Sequence, residues 1–265
     1  MIFYFSATGN SRFAAETIAK RNGDTLVSIG EAMKNGHLSY EIVEGEDVGF
    51  VTPVYFWGIP DIVGEFLNTV QIQGHGMEHY VYHLVTFGTV TGGANSMMMS
   101  ALSRNFGLEL SATYAVRMVD NWTPWFDCSD EKVNREKTDA AIPELEQAVD
   151  AIARHEAGEH NFYRGAWALL WPAAQLIYEP VRKTKHFSVA DACTGCGLCE
   201  RQCPCNAIRV ENNRPTWTKE KCTLCLGCLH RCPVHAIRFG KSEKSYQHGQ
   251  FYNPYTKPDR NNSES

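Results

Sequence analysis

Outside one short stretch this 265-residue chain is almost without cysteine: nine of its ten cysteines lie between Cys193 and Cys232, leaving Cys128 alone. A secreted disulfide framework spreads its cysteines over the domain, so this crowding argues for metal or cluster binding instead. Long apolar runs are also lacking. The best candidate, residues 166–178 (AWALLWPAAQLIY), is too short to span a bilayer and carries Pro172 and Gln175. It reads as a buried connector helix. The alternative is a membrane-surface segment, because Trp167 and Trp171 stand at helical spacing with Arg164, Arg182 and Lys183 nearby. Met1 runs directly into Ile2-Phe3-Tyr4-Phe5 with no basic n-region and no long apolar h-region, so the expectation is a cytoplasmic chain without a signal peptide. The G-x-x-x-x-G-K-[ST] loop of nucleoside triphosphate sites and the G-x-G-x-x-G dinucleotide fingerprint are both missing. No basic stripe points to nucleic acid. With 43% apolar residues the chain has material for one large domain and a small one.

The crowded stretch is an internal repeat. Cys193-Thr-Gly-Cys196-Gly-Leu-Cys199-Glu-Arg-Gln-Cys203-Pro204 returns as Cys222-Thr-Leu-Cys225-Leu-Gly-Cys228-Leu-His-Arg-Cys232-Pro233, with a period of 29 residues that extends to Ala207-Ile208 and Ala236-Ile237. Both copies are C-x2-C-x2-C-x3-C-P, the run of bacterial two-cluster ferredoxins. Three cysteines on a tight turn hold three irons of one cubane, with Gly195 and Gly197 relieving the backbone. The fourth opens a short helix at the proline and completes the other cluster. The expected ligand sets are therefore Cys193, Cys196, Cys199 and Cys232 for one [4Fe-4S] cluster, and Cys222, Cys225, Cys228 and Cys203 for the second. Zinc also uses C-x2-C pairs, but it gives no reason for a third step followed by C-P. Cys205 is surplus to both sets, either a structural thiol or a substitute ligand. Cys128, a lone thiol, reads as inert, with a catalytic role as the alternative.

At the other end, the strand Ile2–Phe5 leads into Ser6-Ala7-Thr8-Gly9-Asn10-Ser11 and a helical run from Arg12 to Lys20. Hydroxyls, helix-terminal amides and a glycine converge there as an anion site without a lysine, which suits a phosphomonoester. This loop resembles the FMN-phosphate loop of flavodoxins. The resemblance extends to two further loops. One follows the strand Asp47–Val54 and carries Pro53, Tyr55, Phe56, Trp57 and Gly58; in flavodoxin-like proteins an aromatic of this loop lies against the isoalloxazine ring, and Trp57 is the stacking candidate. The other follows Tyr80–Thr86 and carries Phe87, Gly88, Thr89, Gly92 and Gly93, similar to the loop whose amides contact the flavin edge. All three follow strand C-terminal ends, where ligands bind in open α/β sheets. Ser6, Thr8, Gly9, Asn10 and Ser11 complete the residues that the resemblance assigns to FMN.

The remaining elements fit a doubly wound, parallel five-stranded sheet in the order 2-1-3-4-5, followed by a small α+β two-cluster domain. Thr25–Ser28 supplies strand two and residues 108–119 contain strand five. Helices are expected near 60–69, 95–106 and 130–155, the last with Ile142, Leu145, Val149 and Ile152 on one face. The expected division is a flavodoxin-like domain at 1–155, a connector at 156–185, a 2[4Fe-4S] domain at 186–240 and a polar, mobile tail at 241–265. The aromatic turn 118–125 either covers the flavin, faces the cluster domain or packs as a surface loop. Residues 1–181 carry 11 Lys/Arg against 23 Asp/Glu and residues 182–240 carry 10 against 4, so the halves are expected to dock through opposite charge.

Taken whole, the chain resembles flavodoxin–ferredoxin fusion proteins of anaerobic bacteria and archaea. That resemblance implies an intracellular electron carrier passing electrons between two [4Fe-4S] clusters, bound FMN and a redox partner protein. The alternatives are an FMN-dependent reductase of a quinone, nitro compound or other small acceptor, and a redox sensor or structural iron–sulfur subunit. No histidine set suggests a catalytic constellation.

Overall fold

A computed structural model describes residues 1–76, 78–165 and 169–256. Its organising feature is a parallel sheet. β1 (Ile2–Tyr4) lies between β2 (Leu26–Ser28) and β4 (Val48–Pro53), and β6 (Val81–Phe87), β7 (Ala112–Arg117) and the two-residue β8 (Gly158–Glu159) follow outward. The five main strands thus run in the expected order, and β8 is an addition at the edge. β3 (Ser39–Glu41) and β5 (Gln71–Gln73) form a separate parallel pair.

Alternation along the strands sends side chains to two apolar layers. Ile2, Val51, Leu84 and Val116 face α1 (Asn10–Asn22) and α5 (Glu131–Ala153). Phe3, Phe50 and Val85 face α2 (Ile29–Asn35), α3 (Asp61–Thr69) and α4 (Ala94–Phe106). This is a doubly wound flavodoxin-like fold. α2 escaped the sequence pattern because it is a seven-residue helix, held by the Ser28 cap and the left-handed Gly36.

The connector holds α6 (Trp171–Val181). Its buried Ala174 and Tyr178 pack inward, while Leu176 and Ile177 remain exposed. The connector expectation therefore describes one face of α6 only; Trp167 lies outside the described residues. Among the described residues no helix is long and apolar enough to cross a membrane.

In the small domain, β9 (Phe187–Val189) pairs antiparallel with β12 (Ile237–Phe239), and β10 (Ile208–Glu211) with β11 (Arg214–Trp217). Short helices α7 (Leu198–Arg201) and α8 (Gly227–His230) occupy equivalent places in the two repeats.

The stretch after Gly240, expected to be mobile, instead packs as far as Thr256. It forms α9 (Glu243–Gln247) and then buries Phe251, Asn253 and Thr256. Polarity misled here because the buried polar groups are satisfied by hydrogen bonds, with Asn253 donating from its backbone and its side chain.

Candidate functional site

The first loop joins β1 to α1. Gly9 adopts φ 97°, and the first turn of α1 contains no acidic residue, so the helix start presents amides and hydroxyls without an opposing carboxylate. Ser6 Oγ accepts from the Gly9 N–H at 3.1 Å, Thr8 Oγ1 accepts from Asn121 Nδ2 at 2.7 Å, and Ser11 Oγ shares a 2.8 Å hydrogen bond with Thr86 Oγ1.

These hydroxyls border a cavity of about 690 Å³, within the range of small-molecule cofactor sites. Ser6, Thr8, Asn10 and Ser11 line it, as do Pro53, Tyr55, Phe56 and Trp57 of the second loop and Phe87, Gly88 and Thr89 of the third. The four other glycines expected at the site stand behind its wall. A Cβ on Gly58 would meet Gln175 and Met97 at 2.5 Å, one on Gly92 would meet Trp57, and one on Gly93 would meet Trp171. Gly9 faces the C-terminal segment.

Tyr55 and Gly58 exchange backbone hydrogen bonds at 2.8 and 2.9 Å around Phe56 and Trp57, both left-handed at φ 48° and 62°. Two consecutive positive φ angles are the demand of a tight two-residue hairpin turn, normally met by Asn-Gly. Aromatic residues there cost about 1–3 kcal/mol each, an expense that recurs at ligand clamps. The surroundings hold the turn: Gln175 Nε2 donates to the carbonyls of Tyr55 and Phe56, and Phe56 stacks on Tyr178 at 5.1 Å. The aromatic turn after β7 borders the cavity and also reaches the cluster domain. Trp122 lines the cavity and its ring meets Phe56 and Phe239, each at 5.6 Å. Asp120 also lines the cavity, and burial raises its carboxyl above the usual range.

The cysteines separate into two groups. Cys193, Cys196, Cys199 and Cys232 border one void of about 20 Å³; Cys203, Cys222, Cys225 and Cys228 border another of about 90 Å³, joined by Cys205. Burial pushes the Cys222 thiol up to about 12 and Cys225 to about 11, so bare thiolates there require a positive group in the void. Zinc at about 2.3 Å from each sulfur would gather its thiols around one point; among the described residues no three His, Cys, Asp or Glu side chains converge in that way. Cys205 accepts from the Thr223 N–H at 3.4 Å. Cys128 is buried in a separate patch with Val119 and Phe251, its thiol pushed up to about 12.

The two halves meet along the second repeat and at the end of the first, where Lys34 Nζ donates to the Arg201 carbonyl and Asn206 Nδ2 donates to the Lys34 carbonyl. Arg231 Nη2 donates to the Ala7 carbonyl, His230 Nε2 contacts the Asn121 carbonyl at 3.0 Å, and Tyr178 OH donates to the Thr223 carbonyl at 2.6 Å. Arg182 pairs with Asp61 at 2.6 Å. Against the expectation of charge-driven docking, this junction is made largely of carbonyl hydrogen bonds and packing. Ser6, Ala7, Cys225 and Leu226 border both the large cavity and the second thiol-ringed void. That shared wall was not legible in the sequence, and neither was the part taken by α6, whose Ala173, Ala174 and Ile177 close the cavity. Leu224 and Leu226, standing where the first repeat has glycines, were the available clue.

Comparison with known proteins adds two family matches: a flavodoxin domain over residues 1–113 and a 4Fe-4S dicluster domain over residues 192–237. Together they give an electron-transfer or redox role, with the flavodoxin domain pointing to FMN and the dicluster domain to 4Fe-4S clusters. No curated protein matches. Similar solved structures include the Trp repressor binding protein from Bacillus subtilis, with a TM-score of 0.35, 11% identity and coverage of 59% of this chain and 97% of that one. An azoreductase from Bacillus anthracis str. Sterne has a TM-score of 0.33 and 13% identity, covering 58% of this chain and 98% of that one.

Proposed function

From a chain that joins an N-terminal flavodoxin domain to a C-terminal 4Fe-4S dicluster domain in the manner of flavodoxin–ferredoxin fusions, we propose an electron carrier that holds two [4Fe-4S] clusters and one FMN and exchanges electrons with a separate redox protein in the cytoplasm. The domain limits proposed are 1–155 for the flavin domain and 186–240 for the cluster domain, with 156–185 between them and a C-terminal segment from 241. Bound there, the clusters handle single electrons and the flavin accepts one or two.

The observation that carries this reading is the position of Cys225, which borders both the second thiol-ringed void and the large cavity. Cys193, Cys196, Cys199 and Cys232 are proposed as ligands of the first cluster, and Cys203, Cys222, Cys225 and Cys228 of the second. Cys196 is exposed, which suits the first site to exchange with an outside partner. Ser6, Thr8, Asn10 and Ser11 would bind the phosphate, and Trp57 would cover the ring. Gly9, Gly58, Gly92 and Gly93 act from behind, by letting neighbouring segments approach. Tyr55, partly buried and with its phenol raised well above the ordinary range by desolvation, brings no competing charge to the wall.

Anaerobic preparation with iron, sulfide and flavin determination tests the proposal. About eight irons, eight sulfides and one FMN per chain are expected; zinc without sulfide would overturn it.

A second reading has its own observation. Trp125, Leu170 and Ile177 line the cavity and are 80%, 48% and 57% exposed. An apolar mouth of that kind suits reduction of a small apolar acceptor such as a quinone. Saturable turnover with a soluble quinone would favour this reading; fast exchange with a redox protein and slow quinone turnover would favour the carrier.

A further inference from the structure

The C-terminal segment touches both halves of the molecule at their working ends. Gln250 Nε2 donates to the carbonyls of Leu229 and Cys232, at 2.6 and 2.8 Å. The Phe251 N–H donates to His230 Nδ1 at 3.0 Å, which leaves the Nε2 proton of that imidazole for the Asn121 carbonyl. Asn121 in turn donates its side-chain amide to Thr8 Oγ1. Two residues on, the chain reaches the same loop directly. The Asn253 N–H donates to the Thr8 carbonyl at 2.8 Å and Asn253 Nδ2 to Asn10 Oδ1 at 3.1 Å. Tyr255 then anchors the segment on α1 and α5: its ring stacks on Phe13 at 5.4 Å and its hydroxyl donates to Asp139.

The contact also explains a residue in the loop. Gly9 is left-handed, and a Cβ there would lie 2.3 Å from Thr256 Oγ1 and 2.8 Å from Asn253 Cβ. The sequence suggested that Gly9 serves close approach of a phosphate. In the fold its open side is filled by the chain's own C-terminal segment. An anion site with no lysine in its loop depends on amides and hydroxyls held in fixed directions, since no mobile charge can compensate for a displaced donor.

We propose that residues 250–256 form a strap that positions the phosphate loop, with Asn253 as the positioning residue, so that tight retention of the flavin phosphomonoester requires the end of the chain. The proposal rests on the FMN reading of the large cavity. The strap lies behind the loop, and its effect therefore belongs to the phosphate end of the ligand and not to the ring.

The test is anaerobic titration of flavin-free, cluster-loaded protein with FMN and with riboflavin, which lacks the phosphate. The intact chain is compared with Asn253→Ala and with a chain ending at Gly249. The chain ending at Gly249 loses both loop hydrogen bonds and should bind FMN about 10- to 100-fold more weakly; Asn253→Ala keeps the backbone bond to Thr8, loses the side-chain bond to Asn10 and should bind FMN about 5- to 10-fold more weakly, while riboflavin changes by less than about threefold in both. Iron and sulfide content of Asn253→Ala should equal that of the intact chain, which keeps the test valid if the truncated chain fails to fold. Unchanged FMN affinity in Asn253→Ala would overturn the strap, and so would an equal loss for both ligands. An intact chain that binds riboflavin as tightly as FMN would instead sink the phosphate reading itself.

Discussion

The two copies of the cysteine repeat share one backbone and live in different surroundings. Gly195 and Gly197 of the first copy are left-handed at φ 68° and 76°; their counterparts Leu224 and Leu226 are left-handed too, at 54° and 53°. Leucine in that region costs about 1–2 kcal/mol more than glycine. The second copy bears that cost because its leucines are buried, 3% exposed each, and both line the large cavity, Leu226 also bordering the second thiol-ringed void. In the first copy the turn approaches Asn213, and Cys196 reaches the surface. The repeat sets out the same cysteine spacing twice; on the proposed reading the first copy faces outward and the second faces the flavin.

The strongest way to break the comparison is to remove one ligand from each copy. Cys196→Ser and Cys225→Ser should each lower iron and sulfide toward about half of eight per chain. Only Cys225→Ser should also disturb flavin binding, because only that side chain borders the flavin cavity. Equal flavin loss in both variants would refute the assignment of an outward and an inward copy.

Exchanging the turn residues comes next. Gly195→Leu should destabilise by about 2–4 kcal/mol, through left-handed strain and collision with Asn213. Leu224→Gly relieves strain but deletes a buried side chain, for a net loss of about 1–3 kcal/mol. Anaerobic urea titrations followed by cluster absorbance measure both, and a stabilised variant of either kind would count against the account.

A smaller effect, confined to acid, concerns the domain that covers the second copy. His83, on the central strand β6, is fully buried beside Thr52, and burial lowers its pKa from 6.5 to about 3. The unfolded chain therefore takes up a proton that the folded one refuses. Stability is full above about 6.5 and falls as the pH drops toward 3. His83→Gln should flatten that dependence in circular-dichroism melts of the whole chain. An unchanged slope would place the acid sensitivity elsewhere.

The smallest expected effect is at the junction. Asp61→Asn removes one of the two carboxylate partners of Arg182, leaving Glu179 at 3.0 Å, and should cost about 1 kcal/mol. Flavin reduction from the cluster side should then change little with ionic strength, since carbonyl hydrogen bonds such as Arg231 to Ala7 hold the halves together.

What the sequence revealed follows the range of the interactions. The cysteine spacing is local chemistry, and Ser6 to Ser11 is a loop between adjacent elements; both were legible. The strand order followed from the resemblance to flavodoxins. The second copy's role was not legible, because it depends on contacts between residues more than 200 positions apart, such as Ala7 with Arg231. The packing of residues 241–256 was missed for a related reason. Asn253 reads as polar and free in the sequence, yet it is fully buried with Thr8 and Asn10 as partners.

The central claim is that the second cluster site, through Cys225, adjoins the flavin and the first faces outward. Flash reduction of the cluster-loaded chain, with arrival of the electron at the flavin followed by absorbance, tests it most directly. The account predicts that Cys196→Ser retains fast transfer within the molecule and that Cys225→Ser loses it. Fast transfer in Cys225→Ser together with its loss in Cys196→Ser would contradict the account.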